Sequence, residues 1–370
     1  MKRIVVLWCF MIAAAAILAG CFDQTKIEDV TLALIVGIDV DDKNRTVVYE
    51  SSPVFHKEAK DKEEKYGVHA ITLRRSRDKF DLMAMGLATG SKTRAILVSK
   101  KVMEQPDWSN YLDLYMRDAK NTVTSYLIAV DGSVSDIVFF SPKDKPRLPL
   151  YLVKLIRTAS MRNLTVNTTL RDFHRQMLEP GLTPYVAELK KDGKIKITGT
   201  ALLDEQGRYK LSLDERENRL LRILQNHKDG DYSFTLSMPE AAAKKGKMDK
   251  LSVTGHRIKT KTKVKHEDKF IFDIDVKMSV IISERLFPAN VRSNAAALEK
   301  EMNKQLEARF AKLVGKIQKA RIDPIGLGLY ARAYAYPEWK KVQNRWGDVL
   351  SEAEIRVKVK TRIAGMGTIK

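Results

Sequence analysis

The chain has 370 residues, of which 44% are hydrophobic, so it is long and apolar enough for two or three packed domains and is not a disordered polymer. Its formal charge of +20 fits an anionic partner surface. The two cysteines, Cys9 and Cys21, leave no disulfide framework, thiolate metal site or cysteine nucleophile beyond residue 21.

The N-terminal segment has the parts of an export signal. Lys2 and Arg3 precede an unbroken apolar run, Ile4 to Leu18, and Leu18-Ala19-Gly20-Cys21 forms a lipobox. The pattern predicts a signal peptide over 1–20, cleavage before Cys21 and acylation of its thiol. The apolar run is short of the ~20 residues of a spanning helix. Two or three acyl chains make a stable anchor where one alone is marginal. Loss of Lys2 and Arg3 lowers the charge by two, to +18. A body so charged and so tethered is drawn to anionic headgroups, and nucleic acid is not expected as a partner. Regular structure is expected from Thr31, ten residues after the anchor, a reach of roughly 30 Å.

Residues 21–140 read as an N-terminal mixed α/β domain. Leu32–Asp39 and Thr46–Pro53 form a predicted hairpin, and Lys57 to Lys65 a charged loop. Val68–Leu73 is a predicted strand. Phe80, Met83, Ala84 and Leu87 recur at helical spacing in Arg77–Ala88, with Ser76 as N-cap. A strand at Arg94–Ser99, a helix capped by Asp107 and a strand at Thr122–Val130 follow. This alternation predicts parallel neighbours in a sheet made mixed by the hairpin.

Pro142, Pro146 and Pro149 mark a boundary. Residues 141–228 read as a middle α+β domain. It has helices at Leu150–Ala159 and Thr169–Leu178, a hairpin turning at Asp192-Gly193, a strand at Arg208–Leu213, and a helix opened by a capping box at Asp214 and Glu217. Residues 229–370 read as a C-terminal α+β domain with a long helix. Leu251–Lys265 and Lys269–Ile282 are long predicted strands with period-two alternation. Leu298, Met302, Leu306, Phe310, Leu313 and Ile317 stripe one face of a helix over Asn294–Ala320. Trp339, Val342 and Trp346 are expected in the core from one helix face, and Ile355–Ile363 as a final strand. The fold class is therefore α+β, three domains, each a mixed sheet packed with helices.

Motifs for chemistry are weak throughout. Ser76-Arg77-Asp78-Lys79 matches Ser-x-x-Lys, but no Ser-Asp-Asn or Lys-Thr-Gly follows. Lys43 interrupts the apparent calcium loop of Asp39, Asp41, Asp42 and Asn44. The six histidines show no ligand spacing, and Gly326-x-Gly328 lacks the third glycine of a dinucleotide site and reads as a loop. No catalytic, cofactor or metal residue is expected. The basic feature is Lys244 to Lys265, nine Lys or Arg against Asp249 alone, which reads as a solvated face or as a contact for lipid or an acidic partner. Arg257, Lys259, Lys261 and Lys263, with Lys358 and Lys360 of the last strand, are the candidate contact residues.

Several segments coincide with one family. They are the lipobox at Cys21, Ala33-Leu34-Ile35-Val36-Gly37-Ile38-Asp39, Arg94-Ala95-Ile96-Leu97-Val98-Ser99, and Tyr111-Leu112-Asp113-Leu114-Tyr115-Met116-Arg117-Asp118. The most specific block runs from Asp323-Pro324-Ile325-Gly326-Leu327-Gly328 through Pro337-Glu338-Trp339 to Trp346, before the basic last strand. Across essentially the whole mature chain it resembles the Ger(x)C family, the C-subunit lipoproteins of bacterial spore germinant receptors. Phe22 departs from the tryptophan common there. The resemblance implies three mixed α/β domains, a place on the outer face of the inner spore membrane, A and B membrane subunits as partners, and no enzymatic activity. The alternative function is a stand-alone substrate-binding envelope lipoprotein, which would call for a cleft between two similar lobes; three unequal segments fit it less well.

Overall fold

The computed structural model describes residues 3–6, 8, 11, 26–239, 247–288 and 290–366. Cys21 and the lipobox lie outside the described residues. The chain is α+β, built from mixed sheets packed with helices. In order it forms β1 (Val30–Leu32), β2 (Ile35–Val40), β3 (Thr46–Pro53), β4 (Glu63–His69), α1 (Leu73–Phe80), β5 (Leu87–Thr89) and β6 (Ala95–Ser99). Next come α2 (Lys100–Met103), α3 (Asp113–Arg117), β7 (Tyr126–Val130), α4 (Val134–Val138), α5 (Leu148–Met161) and α6 (Leu170–Leu178). Then follow β8 (Tyr185–Asp192), β9 (Lys194–Leu203), β10 (Tyr209–Leu213), α7 (Glu215–Leu224) and β11 (Tyr232–Ser237). The chain closes with β12 (Lys250–His266), β13 (Phe270–Arg285), α8 (Val291–Ala320), α9 (Leu327–Tyr334), α10 (Tyr336–Val342), α11 (Trp346–Glu352) and β14 (Glu354–Gly365).

The large sheet has eight strands in the order β10-β9-β8-β7-β6-β2-β3-β4. Its centre, β2-β6-β7-β8, is parallel, and antiparallel hairpins flank it on both sides. Both faces are covered. Ile96, Val98, Leu127 and Ala129 pack with Phe80, Trp108, Tyr115 and Phe173 on one side. Ala95, Leu97, Ile128 and Val130 pack with Val134, Ile137, Leu152 and Ile156 on the other. Two covered faces explain why these strands read as unbroken apolar runs. The strands of 141–228 join this sheet through β7–β8 pairing of Ile128 with Ala187 and Val130 with Leu189. Residues of that segment contribute to all three apolar clusters of the molecule.

Several local expectations are corrected. Helix α1 spans Leu73–Phe80, not Arg77–Ala88, and its N-cap is Thr72, whose hydroxyl accepts from the Arg75 amide at 3.0 Å. Ser76 lies inside it and donates to the Leu73 carbonyl at 2.8 Å. The helix stops because Leu87–Thr89 is drawn into parallel pairing with Val30–Leu32. Gly86 permits that pairing: a Cβ there would lie 2.9 Å from the Asp29 backbone. The Asp81 carboxylate closes the intervening loop by accepting from the Ala88 amide at 2.7 Å. The strand expected at Val68–Leu73 instead occupies Glu63–His69, because it pairs residue for residue with the β3 hairpin strand. Its start also turns the end of the expected Lys57–Lys65 loop into strand. Asp107 makes no side-chain cap and has φ 57°; a short 3-10 turn, Trp108–Leu112, follows it. Trp108 is buried there and donates from Nε1 to the Gly207 carbonyl at 2.7 Å.

The small sheet has the order β11-β12-β13-β14, with β14 parallel to β13. Strand β11 had no counterpart in the sequence reading. Helix α8, 30 residues and so about 45 Å long, lies on one face of this sheet. Its predicted stripe, Leu298, Met302, Leu306, Phe310, Leu313 and Ile317, is buried against Phe272, Ile274, Val276 and Val280. Trp339 and Trp346 are buried as expected, but from two separate helices, α10 and α11.

Where the two sheets meet, Asp323 organises the chain. Its Oδ1 accepts from the Gly326 and Leu327 amides at 2.8 and 3.0 Å, and its Oδ2 from the Gly328 amide and Trp346 Nε1, both at 2.8 Å. Burial pushes this carboxyl's pKa up, against the pull of the four donors. The Asp323 amide donates to Thr183 Oγ1 at 3.0 Å, and its carbonyl accepts from the Thr183 amide at 2.9 Å. Gly328 touches Gly181 so closely that a Cβ would lie 2.4 Å from its Cα. Gly326, with φ 84°, starts α9, so Gly326-x-Gly328 is a helix start rather than a plain loop.

Candidate interaction face of the C-terminal sheet

The face of the small sheet away from the α8-packed core is charged. Period-two alternation on β12, β13 and β14 buries the apolar set and turns the polar set outward. The register then decides which charges become neighbours. Lys259, Lys277 and Lys360 stand in one cross-strand row. Lys261, Asp275 and Lys358 form the next, and Lys263, Asp273 and Arg356 the third. Arg362 stands beside Ser279 above the first row.

Five of the six sequence-selected residues, Lys259, Lys261, Lys263, Lys358 and Lys360, thus share one face although they lie about a hundred residues apart. Arg257 does not join the lattice. It sits in a β-bulge between His256 and Lys259, where β12 carries one extra residue, and has φ 50°. Lys244 and Lys245 lie outside the described residues. Lys277 was missed by the sequence reading, although the alternation of Phe272, Ile274, Val276 and Met278 already places it on the polar side.

The rows are not equivalent. The two aspartates of β13 offset the second and third rows, and Arg356 Nη1 lies 3.6 Å from Asp273 Oδ1. Arg356 also pairs with Glu354 at 2.6 Å, which holds that carboxyl below its usual range. The first row has no acid among its three lysines. Strands lie about 4.8 Å apart, and like charges directly opposite destabilise a sheet. Folding gains no charge pairing within that row; an anionic surface laid across it would supply it. The exposed lysine tips stay in water while their stems cover the sheet.

Among the described residues, no helix is long and apolar enough to cross a membrane. The sequence matches two family models end to end. "Spore germination protein N-terminal domain" covers residues 23–191, and "Spore germination B3/GerAC like, C-terminal" covers residues 198–367. The chain is 26% identical to spore germination protein B3 of Bacillus subtilis (strain 168), over 75% of this chain and 74% of that protein. It is 23% identical to spore germination protein KC of the same organism, over 99% and 97% of the two chains. The crystal structure of the GerBC protein superposes with a TM-score of 0.57 at 18% identity, covering 89% of this chain and 96% of that one, which establishes the shared fold. With both halves matched in order and the fold shared throughout, the chain belongs to the Ger(x)C family of spore germination proteins.

Proposed function

We propose that this chain is a non-catalytic, lipid-anchored subunit of a membrane nutrient-germinant receptor, working as a scaffold that docks on its partner subunits. Acylation at Cys21 ties it to the outer face of the inner spore membrane, and the A and B membrane subunits are its partners. The observation that carries the docking role is the row Lys259–Lys277–Lys360, three like charges side by side with no acid among them. Confinement by the anchor raises the effective concentration of subunits beside one another, so weak contacts suffice for assembly.

The test replaces Lys259, Lys277 and Lys360 by glutamate together in the spore. Receptor level should fall, and germination should slow even at saturating nutrient, because fewer complexes form. A normal receptor level with a shifted half-maximal nutrient concentration would instead make this subunit part of germinant sensing and sink the scaffold reading. Membrane attachment has its own check. Cys21→Ala should leave the protein unprocessed or released, and a processed variant that stays with the membrane would refute the anchor.

A further inference from the structure

The loop between α1 and β5 carries an apolar surface that the fold leaves bare. Residues 82–90 read Leu-Met-Ala-Met-Gly-Leu-Ala-Thr-Gly, nine in a row without a charge. Helical spacing predicts that Met83 and Leu87 turn inward. The helix ends at Phe80 instead, and the loop turns them out. Leu82 is 86% exposed, Met85 79%, Leu87 61% and Met83 48%.

This surface lies against β1 and the residues just before it. Val30 pairs with Leu87, and Gly86 abuts the Asp29 backbone. Ile27, 66% exposed, adds to it. The loop is not slack. Asp81 Oδ1 accepts from Ala88, and the Met83 and Ala84 amides both donate to the Phe80 carbonyl at 2.8 Å. Its apolar side chains are therefore presented by a fixed backbone.

We infer that this loop is a membrane-contacting wedge, whose Leu82, Met83, Met85 and Leu87 side chains enter the headgroup–acyl boundary of the bilayer. The inference rests on the lipid anchor proposed above. Ile27 is six residues after Cys21, and six residues span at most about 20 Å. Pairing of β1 with β5 sets the wedge beside Val30, nine residues after Cys21, so an acylated Cys21 keeps this loop within roughly 30 Å of the lipid and within reach of its surface. Arg74 and Arg75 on α1 precede the wedge; both lie near Asp78, at 3.8 and 3.6 Å, and the three side chains together keep one net positive charge for anionic headgroups. The wedge adds a second membrane attachment to the acyl chains and removes the free rotation of a single tether, so the body meets the bilayer in one orientation.

The experiment uses the full lipidated chain reconstituted into vesicles of phosphatidylglycerol and phosphatidylethanolamine. Processing removes Cys9 and acylates Cys21, so an introduced cysteine is the single free thiol. An environment-sensitive fluorophore is placed at Leu82→Cys or Met85→Cys, and at Met161→Cys, an exposed apolar position outside the wedge. Flotation with the vesicles reports the anchor by itself; a chain that fails to float refutes the anchor, not the wedge. In floated chains the probes at 82 and 85 should shift to the blue and lose emission to a quencher carried on the lipid chains, and the probe at 161 should be quenched by iodide from water. Iodide quenching at 82 and 85 equal to that at 161 would overturn the wedge. Shielding of 82 and 85 from both quenchers, seen only when a membrane partner is present, would overturn it in favour of protein docking.

Discussion

The two sheets of this molecule solve burial differently. The eight-stranded sheet is covered on both faces, so β6 is buried throughout and β7 is buried beyond its first residue. The four-stranded sheet is covered by α8 on one face and keeps its other face for charge. A double-sided core gives the body its rigidity. A single-sided one leaves an outward array of side chains whose charge pattern is free to change without emptying a core. Substitutions in the two sheets should therefore differ in kind as well as in size.

The junction between the sheets should be the most sensitive place. Asp323→Ala leaves three backbone amides and the Trp346 indole without their acceptor, each buried. Unmet buried donors cost about 1–3 kcal/mol each, so the loss should reach or exceed about 4 kcal/mol. Urea unfolding of the purified chain measures it; a loss below 1 kcal/mol, well under that range, would mean water replaces the carboxylate and the junction is not closed. In the doubly covered sheet, Leu97→Ala should cost about 2–5 kcal/mol by cavity formation, read in the same way.

The covered sheet should also be the pH-sensitive one. Glu50 is 2% exposed, and its Oε1 accepts from Ser52 Oγ at 2.8 Å. Burial pushes its carboxyl from 4.5 up to about 7. Between those values the folded chain holds a proton that the unfolded chain has released. The resulting stability is therefore full below pH 4.5 and is lost as pH rises through 7, by roughly 3 kcal/mol. Glu50→Gln should remove that part of the slope; unfolding at pH 5 and pH 8 in both proteins checks it, and an unchanged slope would place the titrating group elsewhere. The smallest effect belongs to the open face. Lys261→Gln should change stability by less than about 0.5 kcal/mol, because it alters one exposed side chain and sets no like charge opposite Asp275. A larger loss would show that the open face is structural after all.

Much of this was legible in the sequence, for identifiable reasons. Strong periodicity fixed α8 and its stripe, and the strands β12 and β13, because each buries one face against one partner. The capping box at Asp214 and Glu217 is present as read, with Asp214 accepting from the Glu217 amide at 2.8 Å. The helix at Arg77–Ala88 went astray because its apolar spacing is real but long-range pairing of β1 with β5 outweighs it. The charge face was legible in its residues and not in its rows: register between strands about a hundred residues apart decides that Lys277 completes a row while Arg257 is lifted out by a bulge. Asp323 stands out in the sequence only within the family block, since nothing local announces that four donors converge on it.

The Asp323 cluster has a kinetic consequence. The Gly326, Leu327 and Gly328 amide protons and the Trp346 indole proton all point at one buried carboxylate. Gly181 stands backbone to backbone against Gly328 and closes one side of the cluster. All four share the two oxygens of one carboxylate, so movement of that side chain releases them together. In deuterium exchange they should behave as a single clock, opening together at the rate at which the two sheets part company.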